Sequence, residues 1–95
     1  MLAMIHLNVN TSPDICKRIS GNMRSLRRAS GLTQAALSEK AGVSLGSLKR
    51  FETTGQISLA SLANLAIALG VESEMLDLFS TPHYSSIEEV IRENS

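Results

Sequence analysis

The chain has 95 residues, enough for one domain, and 43% of them are apolar, which supplies one modest core. Only 3% are aromatic, so the core must come mainly from aliphatic side chains, and this composition favours helices over a β-sandwich. A single cysteine excludes an internal disulfide and gives no indication of secretion. The first apolar run is too short for a signal peptide and no run approaches a membrane span, so we expect a cytoplasmic protein.

The net charge of zero is the sum of two oppositely charged halves. Eight basic and two acidic residues precede Glu52, a formal charge of +6, whereas one basic and seven acidic residues from Glu52 onward give −6. A split of this size indicates a polyanionic partner for the first half. Ordinary solvated helix surface is the alternative explanation.

Residues 1–11 form an arm in which Ile5, Leu7 and Val9 alternate with polar residues, and this alternation predicts a short β-strand. A single strand in a helical domain needs a partner, and the simplest partner is the same strand of a second copy. We therefore predict a homodimer contact through these three residues. A contact through the fifth helix and Phe79, or a disordered arm, are the alternatives.

Helix start and stop signals divide the rest of the chain. The run Ser12–Pro13–Asp14 predicts the start of a first helix that reaches about Ala29 and carries Ile15, Ile19, Met23 and Leu26 on its apolar face. Thr33, Ser44 and Ser58 are the predicted caps of the next three helices, at about 34–40, 45–53 and 58–70. A fifth helix is expected from about 73 to 79. The prediction is an all-α, five-helix domain over 12–79, with a tail at 80–95 that contains a short helix after Ser86 or frays.

The informative window is residues 34–52. Two helices joined by a short turn must share one apolar set, and Leu37, Ala41, Val43, Leu48 and Phe51 have the spacing for it. Gly42 permits the backbone conformation that the turn requires. The positions left facing outward on the third helix are Ser44, Leu45, Gly46, Ser47, Lys49 and Arg50.

The stretch GLTQAALSEKAGVSLGSLKRFE resembles the lambda-repressor-like (XRE) helix-turn-helix family, over about residues 14–79. The matching positions are Gln34, Gly42, Val43, Leu48 and Phe51–Glu52, and Ser38 departs from the usual alanine. The resemblance implies a five-helix lambda-repressor-like fold whose third helix enters the major groove of double-stranded DNA.

A narrower resemblance covers residues 51–59, together with Leu78–Phe79, Pro82 and Tyr84. These segments resemble the antitoxin-repressors that pair with HipA-like kinase toxins. This resemblance implies a transcriptional repressor that reads a palindromic operator as a homodimer and has a HipA-like kinase toxin as its protein partner.

The family resemblance also implies roles for individual residues. The base-reading residues are Ser44, Leu45, Gly46, Ser47, Lys49 and Arg50, and the phosphate-binding residues are Thr33, Gln34, Arg24 and Arg28. Arg50 has the donors to bind guanine O6 and N7 together. Leu45 and Gly46 occupy positions where the family often has polar residues, so readout rests on Ser47, Lys49, Arg50 and DNA shape. For Arg24, Arg27 and Arg28 a solvated helix face is an equal alternative.

Catalytic and metal chemistry are not predicted. His6 and His83 lack partners at ligand spacing, Cys16 is expected to be a small core residue, and no phosphate loop or serine elbow is present. We therefore expect no enzyme and no cofactor. The competing hypothesis is a protein-interaction module that binds a basic partner, and not DNA, through Glu72, Glu74, Asp77, Glu88, Glu89 and Glu93.

Overall fold

A computed structural model describes residues 11–82, and within this range the chain is helical and forms no strand. The five helices are α1 (Ser12–Ala29), α2 (Gln34–Ala41), α3 (Leu45–Thr54), α4 (Leu59–Ala68) and α5 (Glu72–Leu76). The predicted all-α, five-helix architecture is therefore confirmed for this part of the chain. The predicted strand at Ile5, Leu7 and Val9 and the tail helix after Ser86 lie outside the described residues.

Hydroxyl side chains begin the first four helices. Thr33, Ser44 and Ser58 each accept a hydrogen bond from the amide three residues later, at 3.0, 3.1 and 3.0 Å, as predicted. The cap of α1 is Thr11 rather than the predicted Ser12, and its Oγ1 accepts from the Asp14 amide at 3.3 Å. Thr11 has the extended backbone of a cap, so Ser12 is already helical and Pro13 takes the second position.

Glycines with a left-handed backbone end two of the helices. Gly42 and Gly55 close α2 and α3 with φ values of +70° and +83°, a region that side chains with a Cβ disfavour. The fifth helix ends at Leu76, three residues before the predicted end. Phe79 has a φ of +59°, which is incompatible with a continuing right-handed helix.

The core lies between α1, α2, α3 and α4. It consists of Met23, Leu37, Val43, Leu48, Phe51, Leu65 and Ala66. The predicted apolar set of the helix-turn-helix is thus buried, with Ala41 half-buried at its edge. Burial of this set fixes which side of α3 faces outward.

The first half of α1 departs from the prediction. Ile15 and Ile19 remain 45% and 42% exposed, because the described core covers α1 only from Ser20 onward. Cys16, expected in the core, is exposed. It lies one turn before Ser20, beyond the part of α1 that the described core covers. Its backbone contacts the turn at Gly55 instead.

Large apolar side chains remain exposed where α5 packs on α4. We call this region the α4–α5 surface; it surrounds an open concavity of about 550 Å³ and comprises Leu59, Ala63, Ile67, Met75, Leu76, Leu78 and Phe79. Leu76 is 82% and Phe79 92% exposed. A contiguous apolar patch of this kind typically marks an interaction site.

Candidate nucleic-acid interface

The outer side of α3 is determined by burial of its inner side. Leu48 and Phe51 are buried, and the positions between and before them, apart from the half-buried Leu45, are exposed. Ser44 Oγ accepts from the Ser47 amide at 3.1 Å and donates to Ser47 Oγ at 2.8 Å, so the two hydroxyls lie together at the start of the helix. The helix N-terminus therefore presents small polar groups that permit close approach to a partner.

All six predicted base-reading positions thus lie in the cap and first two turns of α3. The exposed members are Ser44, Gly46, Ser47, Lys49 and Arg50. Leu45 is half-buried, so part of its side chain supports the domain. The arrangement provides two hydroxyls and two cations on one side of a helix, which suits the acceptor-rich edges of bases and phosphates.

Arg50 extends toward the turn that follows α3. Its Nη2 donates a hydrogen bond to Gln56 Oε1. Both side chains line an open concavity of about 370 Å³, together with Ser47, Ile57, Ser58 and Ser61. The predicted guanine reader is therefore paired with a residue that the sequence pattern did not single out.

The four predicted phosphate-binding residues line a second open concavity of about 380 Å³. Its lining consists of Arg24, Arg27, Arg28, Thr33, Gln34, Glu52 and Thr53. Arg24 and Arg28 are exposed, and the first amides of α2 follow the cap residue Thr33. Exposed guanidinium groups beside a helix N-terminus are a favourable environment for an anion such as a phosphate group.

Arg27 differs from its neighbours because it points inward. Its Nε donates to Glu52 Oε2 at 2.7 Å, and its Nη2 donates to Glu52 Oε1 at 3.0 Å. A third bond runs from Nη1 to the carbonyl oxygen of Leu32 at 2.8 Å. The Arg27 and Glu52 side chains are only 9% and 4% exposed, so Arg27 is neither a phosphate ligand nor part of a solvated face.

Gln34 belongs to the same network. Its Nε2 donates to Glu52 Oε1 at 2.9 Å, so Glu52 connects α3 with both α1 and α2. One of the two N–H donors of the Gln34 side chain is therefore used inside the protein, and a phosphate contact by Gln34 would use the other donor or the backbone amide at the start of α2. The network fixes the N-terminus of α2 relative to α3.

Burial raises the pKa of the Glu52 carboxyl, but the hydrogen bonds from Arg27 and Gln34 and the charges of Arg27 and Arg24 lower it more. The resulting pKa lies below the usual value for a glutamate. The hydrogen bond to Glu52 raises the pKa of Arg27 despite the opposing effect of burial. Both groups are consequently charged at neutral pH, and each compensates the buried charge of the other.

The sequence carries a signal for the burial of Arg27 that charge counting misses. Ser20, Met23 and Arg27 are the buried residues of α1, and their spacing of three and four places them on one helical face. An arginine on a core-facing stripe requires an acidic partner.

A family model described as a helix-turn-helix domain matches residues 18–79. This match covers more than half of the chain and includes all of α2 to α5. The protein belongs to this helix-turn-helix family. Neither the curated proteins nor the solved structures gave a match.

Membership of the helix-turn-helix family indicates which kind of partner the outer side of α3 contacts. A helix-turn-helix domain is a DNA-binding element, which makes double-stranded DNA the indicated partner and a DNA-binding regulator the indicated class of protein.

Residues 11–82 contain no group of three or more His, Cys, Asp or Glu residues that is suited to a metal ion. Over the same range, no helix combines the length and apolarity needed to cross a bilayer.

Proposed function

We propose that the protein is a sequence-specific transcriptional repressor that binds a palindromic operator as a homodimer in the cytoplasm, with α3 in the major groove. The observation that carries this proposal is the exposed polar and cationic side of α3. A major groove accommodates one helix, and the exposed residues at the α3 N-terminus are those that would reach base edges.

The two predicted sets of residues have different tasks in this proposal. The residues at the start of α3 read bases, with Arg50 on a guanine and Ser47 and Lys49 beside it. Arg24, Arg28 and the amides after Thr33 bind phosphates and set the register of the helix, but do not discriminate between sequences. Gly46 permits close approach, and the exposed part of Leu45 is available to a thymine methyl group.

The α4–α5 surface supports the homodimer. One α3 helix reads only a few base pairs, so a second copy is needed to read the other half of a palindromic operator. The apolar side chains of the α4–α5 surface are exposed in the isolated chain, and contact with a second copy would remove them from water. We propose this surface as the dimer contact, with the arm at Ile5, Leu7 and Val9 as an additional contact.

Fluorescence anisotropy with a labelled duplex from the protein's own upstream DNA tests the proposal. We expect tight binding that weakens as salt rises, because contacts with phosphates release counterions. Arg50→Ala should lower affinity by about fivefold or more, since a bidentate guanine contact contributes about 1–3 kcal/mol.

The matched control is Arg18→Ala, which removes the same charge from an exposed position near the start of α1. It should change affinity by less than about twofold, given that Arg18 lies outside both concavities. Absence of binding by the wild-type protein at moderate salt would refute the proposed function. Equal losses for the two variants would show that α3 does not read the DNA.

We further propose that the repressor is the antitoxin of a toxin–antitoxin operon, with a HipA-like kinase toxin as partner. The support is the resemblance of residues 51–59 and of Leu78–Phe79 to antitoxin-repressors of that type. Co-expression with the protein encoded next to it, followed by affinity purification of the full chain, tests this partnership. A neighbouring gene with no kinase-like product would refute it.

The exposed acids Glu72, Glu74 and Asp77 near α5 favour one alternative, an interaction module for a basic partner that does not bind DNA. The anisotropy experiment separates the two functions. An interaction module would show no affinity for operator or random DNA.

A further inference from the structure

The turn after α3 holds Gln56 in a fixed place. Gly55 has a φ of +83°, and its amide donates to the Phe51 carbonyl at 2.8 Å. A Cβ on Gly55 would lie 2.9 Å from the Cβ and carbonyl carbon of Cys16, so the turn packs directly on α1. The backbone that leads into Gln56 is therefore anchored on both sides.

The hydroxyl of Thr54 connects this turn to Arg50. Thr54 Oγ1 donates to the Arg50 carbonyl at 2.7 Å and accepts from the Gln56 amide at 3.1 Å. One side chain thus bridges the backbones of the two residues. These two bonds fix the distance between the backbones from which the Arg50 and Gln56 side chains extend.

The side chains complete the connection, since Arg50 Nη2 donates to Gln56 Oε1. A guanidinium has five N–H donors, and this contact occupies one of them. The remaining donors include enough for the bidentate contact with guanine O6 and N7. An arginine held in this way loses less conformational freedom on binding DNA than one that samples many rotamers in solution.

We propose that Gln56 is a positioning residue for specificity: it accepts a hydrogen bond from Arg50 and orients the guanidinium toward a guanine edge. This inference rests on the proposed DNA-binding function. It assigns to Gln56 an action through Arg50, so it predicts that the effect of Gln56 disappears when Arg50 is absent.

A double-mutant cycle on DNA affinity tests this dependence. The proteins are the full-length wild type, Arg50→Ala, Gln56→Ala and the double variant. The probes are the upstream DNA site located by footprinting, all single base-pair variants of that site, and a random duplex. Thermal unfolding of each variant checks that the fold is intact, which we expect because both side chains are exposed.

Gln56→Ala should lower affinity for the site about three- to tenfold and reduce discrimination at one base-pair position. That position should be the one at which Arg50→Ala also removes discrimination. Affinity for the random duplex and the slope of affinity against salt should stay unchanged. In the Arg50→Ala background, Gln56→Ala should change affinity by less than twofold.

Gln56→Glu serves as the conservative variant because it keeps the acceptor oxygens but loses the amide donors. It should preserve the base preference of the wild type, even though its negative charge weakens overall binding to DNA. Loss of the base preference in Gln56→Glu would overturn the inference.

The possible failures are distinguishable. If the wild type binds specifically but the effects of the two alanine substitutions add, Gln56 contacts DNA independently of Arg50, and the positioning role is refuted while the proposed function stands. If the wild type binds no DNA, the proposed function and this inference fail together.

Discussion

At the scale of single residues, the pair of Arg27 and Glu52 is expected to have a large effect on stability. Arg27→Met removes one member of an ion pair whose side chains are 9% and 4% exposed and leaves the other charge buried. We expect the free energy of unfolding to fall by about 3 kcal/mol, as measured by urea denaturation followed by circular dichroism.

Two further variants separate this effect from a general loss of charge. Arg28→Met changes an exposed arginine at the next position, and it should shift the free energy of unfolding by no more than about 0.5 kcal/mol. Combining Arg27→Met with Glu52→Leu should recover much of the loss, since no unpaired charge remains. Similar losses for Arg27→Met and Arg28→Met would contradict the structural assignment.

The low pKa of Glu52 makes part of the stability depend on pH. A carboxyl whose pKa is lower in the folded than in the unfolded protein stabilises the fold fully above its unfolded pKa, about 4.3, and loses this contribution as pH falls through the folded value. Glu52→Gln should therefore be less stable than wild type at pH 7, and the difference should shrink toward pH 3. Urea denaturation at several pH values measures it. A constant difference from pH 7 to pH 3 would show that Glu52 does not titrate in this way.

At the scale of elements, two glycines with similar backbone angles have different surroundings. Gly42→Ala places a Cβ in open space at a φ of +70°, which costs about 1–2 kcal/mol. Gly55→Ala has the same conformational penalty and also brings a Cβ to 2.9 Å from Cys16, so overpacking should cost about 1 kcal/mol or more in addition. Thermal or urea unfolding of both variants measures the difference, and equal destabilisation would mean that α1 and the turn after α3 separate easily.

The helices were predictable from local signals because their ends depend on short-range bonding. The hydroxyls of Thr33, Ser44 and Ser58 each accept a hydrogen bond from the amide three residues later, and a cap of this kind can be predicted from the sequence. The end of α5 was not predictable in the same way. Leu78 and Phe79 continue an apolar pattern, but the helix ends at Leu76, Phe79 has a left-handed backbone, and no glycine or proline at position 77 or 78 signals this end.

The candidate interface likewise has one part that could be predicted from the sequence and one part that could not. Exposed positions on α3 follow from which residues are buried, so Ser47, Lys49 and Arg50 could be selected without coordinates. The pairings of Arg27 with Glu52 and of Arg50 with Gln56 join residues on different elements. Their partners depend on how α1, α3 and the following turn pack, and periodicity along one helix contains no information about that packing.

At the scale of the whole molecule, the α4–α5 surface predicts self-association. Leu76→Glu places a charge on a side chain that is 82% exposed in the isolated chain, and we expect it to raise the dissociation constant of the homodimer at least about tenfold. Sedimentation equilibrium over a range of protein concentrations measures the constant.

Ile15→Glu is the matched control, because Ile15 is 45% exposed on α1 and lies outside the α4–α5 surface. It should leave the dimer unchanged. Dissociation by Ile15→Glu but not by Leu76→Glu would place the dimer contact at α1 and refute the proposed one. A monomeric wild type at micromolar concentration would refute the homodimer itself.

The separation of charge along the chain has a physical consequence for a protein whose net charge is zero. The first half carries +6 and the second half −6, and the exposed acids Glu72, Glu74 and Asp77 lie at α5, which packs on α4. We expect this separation to give the molecule an electric dipole moment, so that the field of a DNA duplex turns its basic face toward the phosphates during approach. The same dipole should make this electroneutral protein adsorb to both cation- and anion-exchange resins at low ionic strength, with a different face against each.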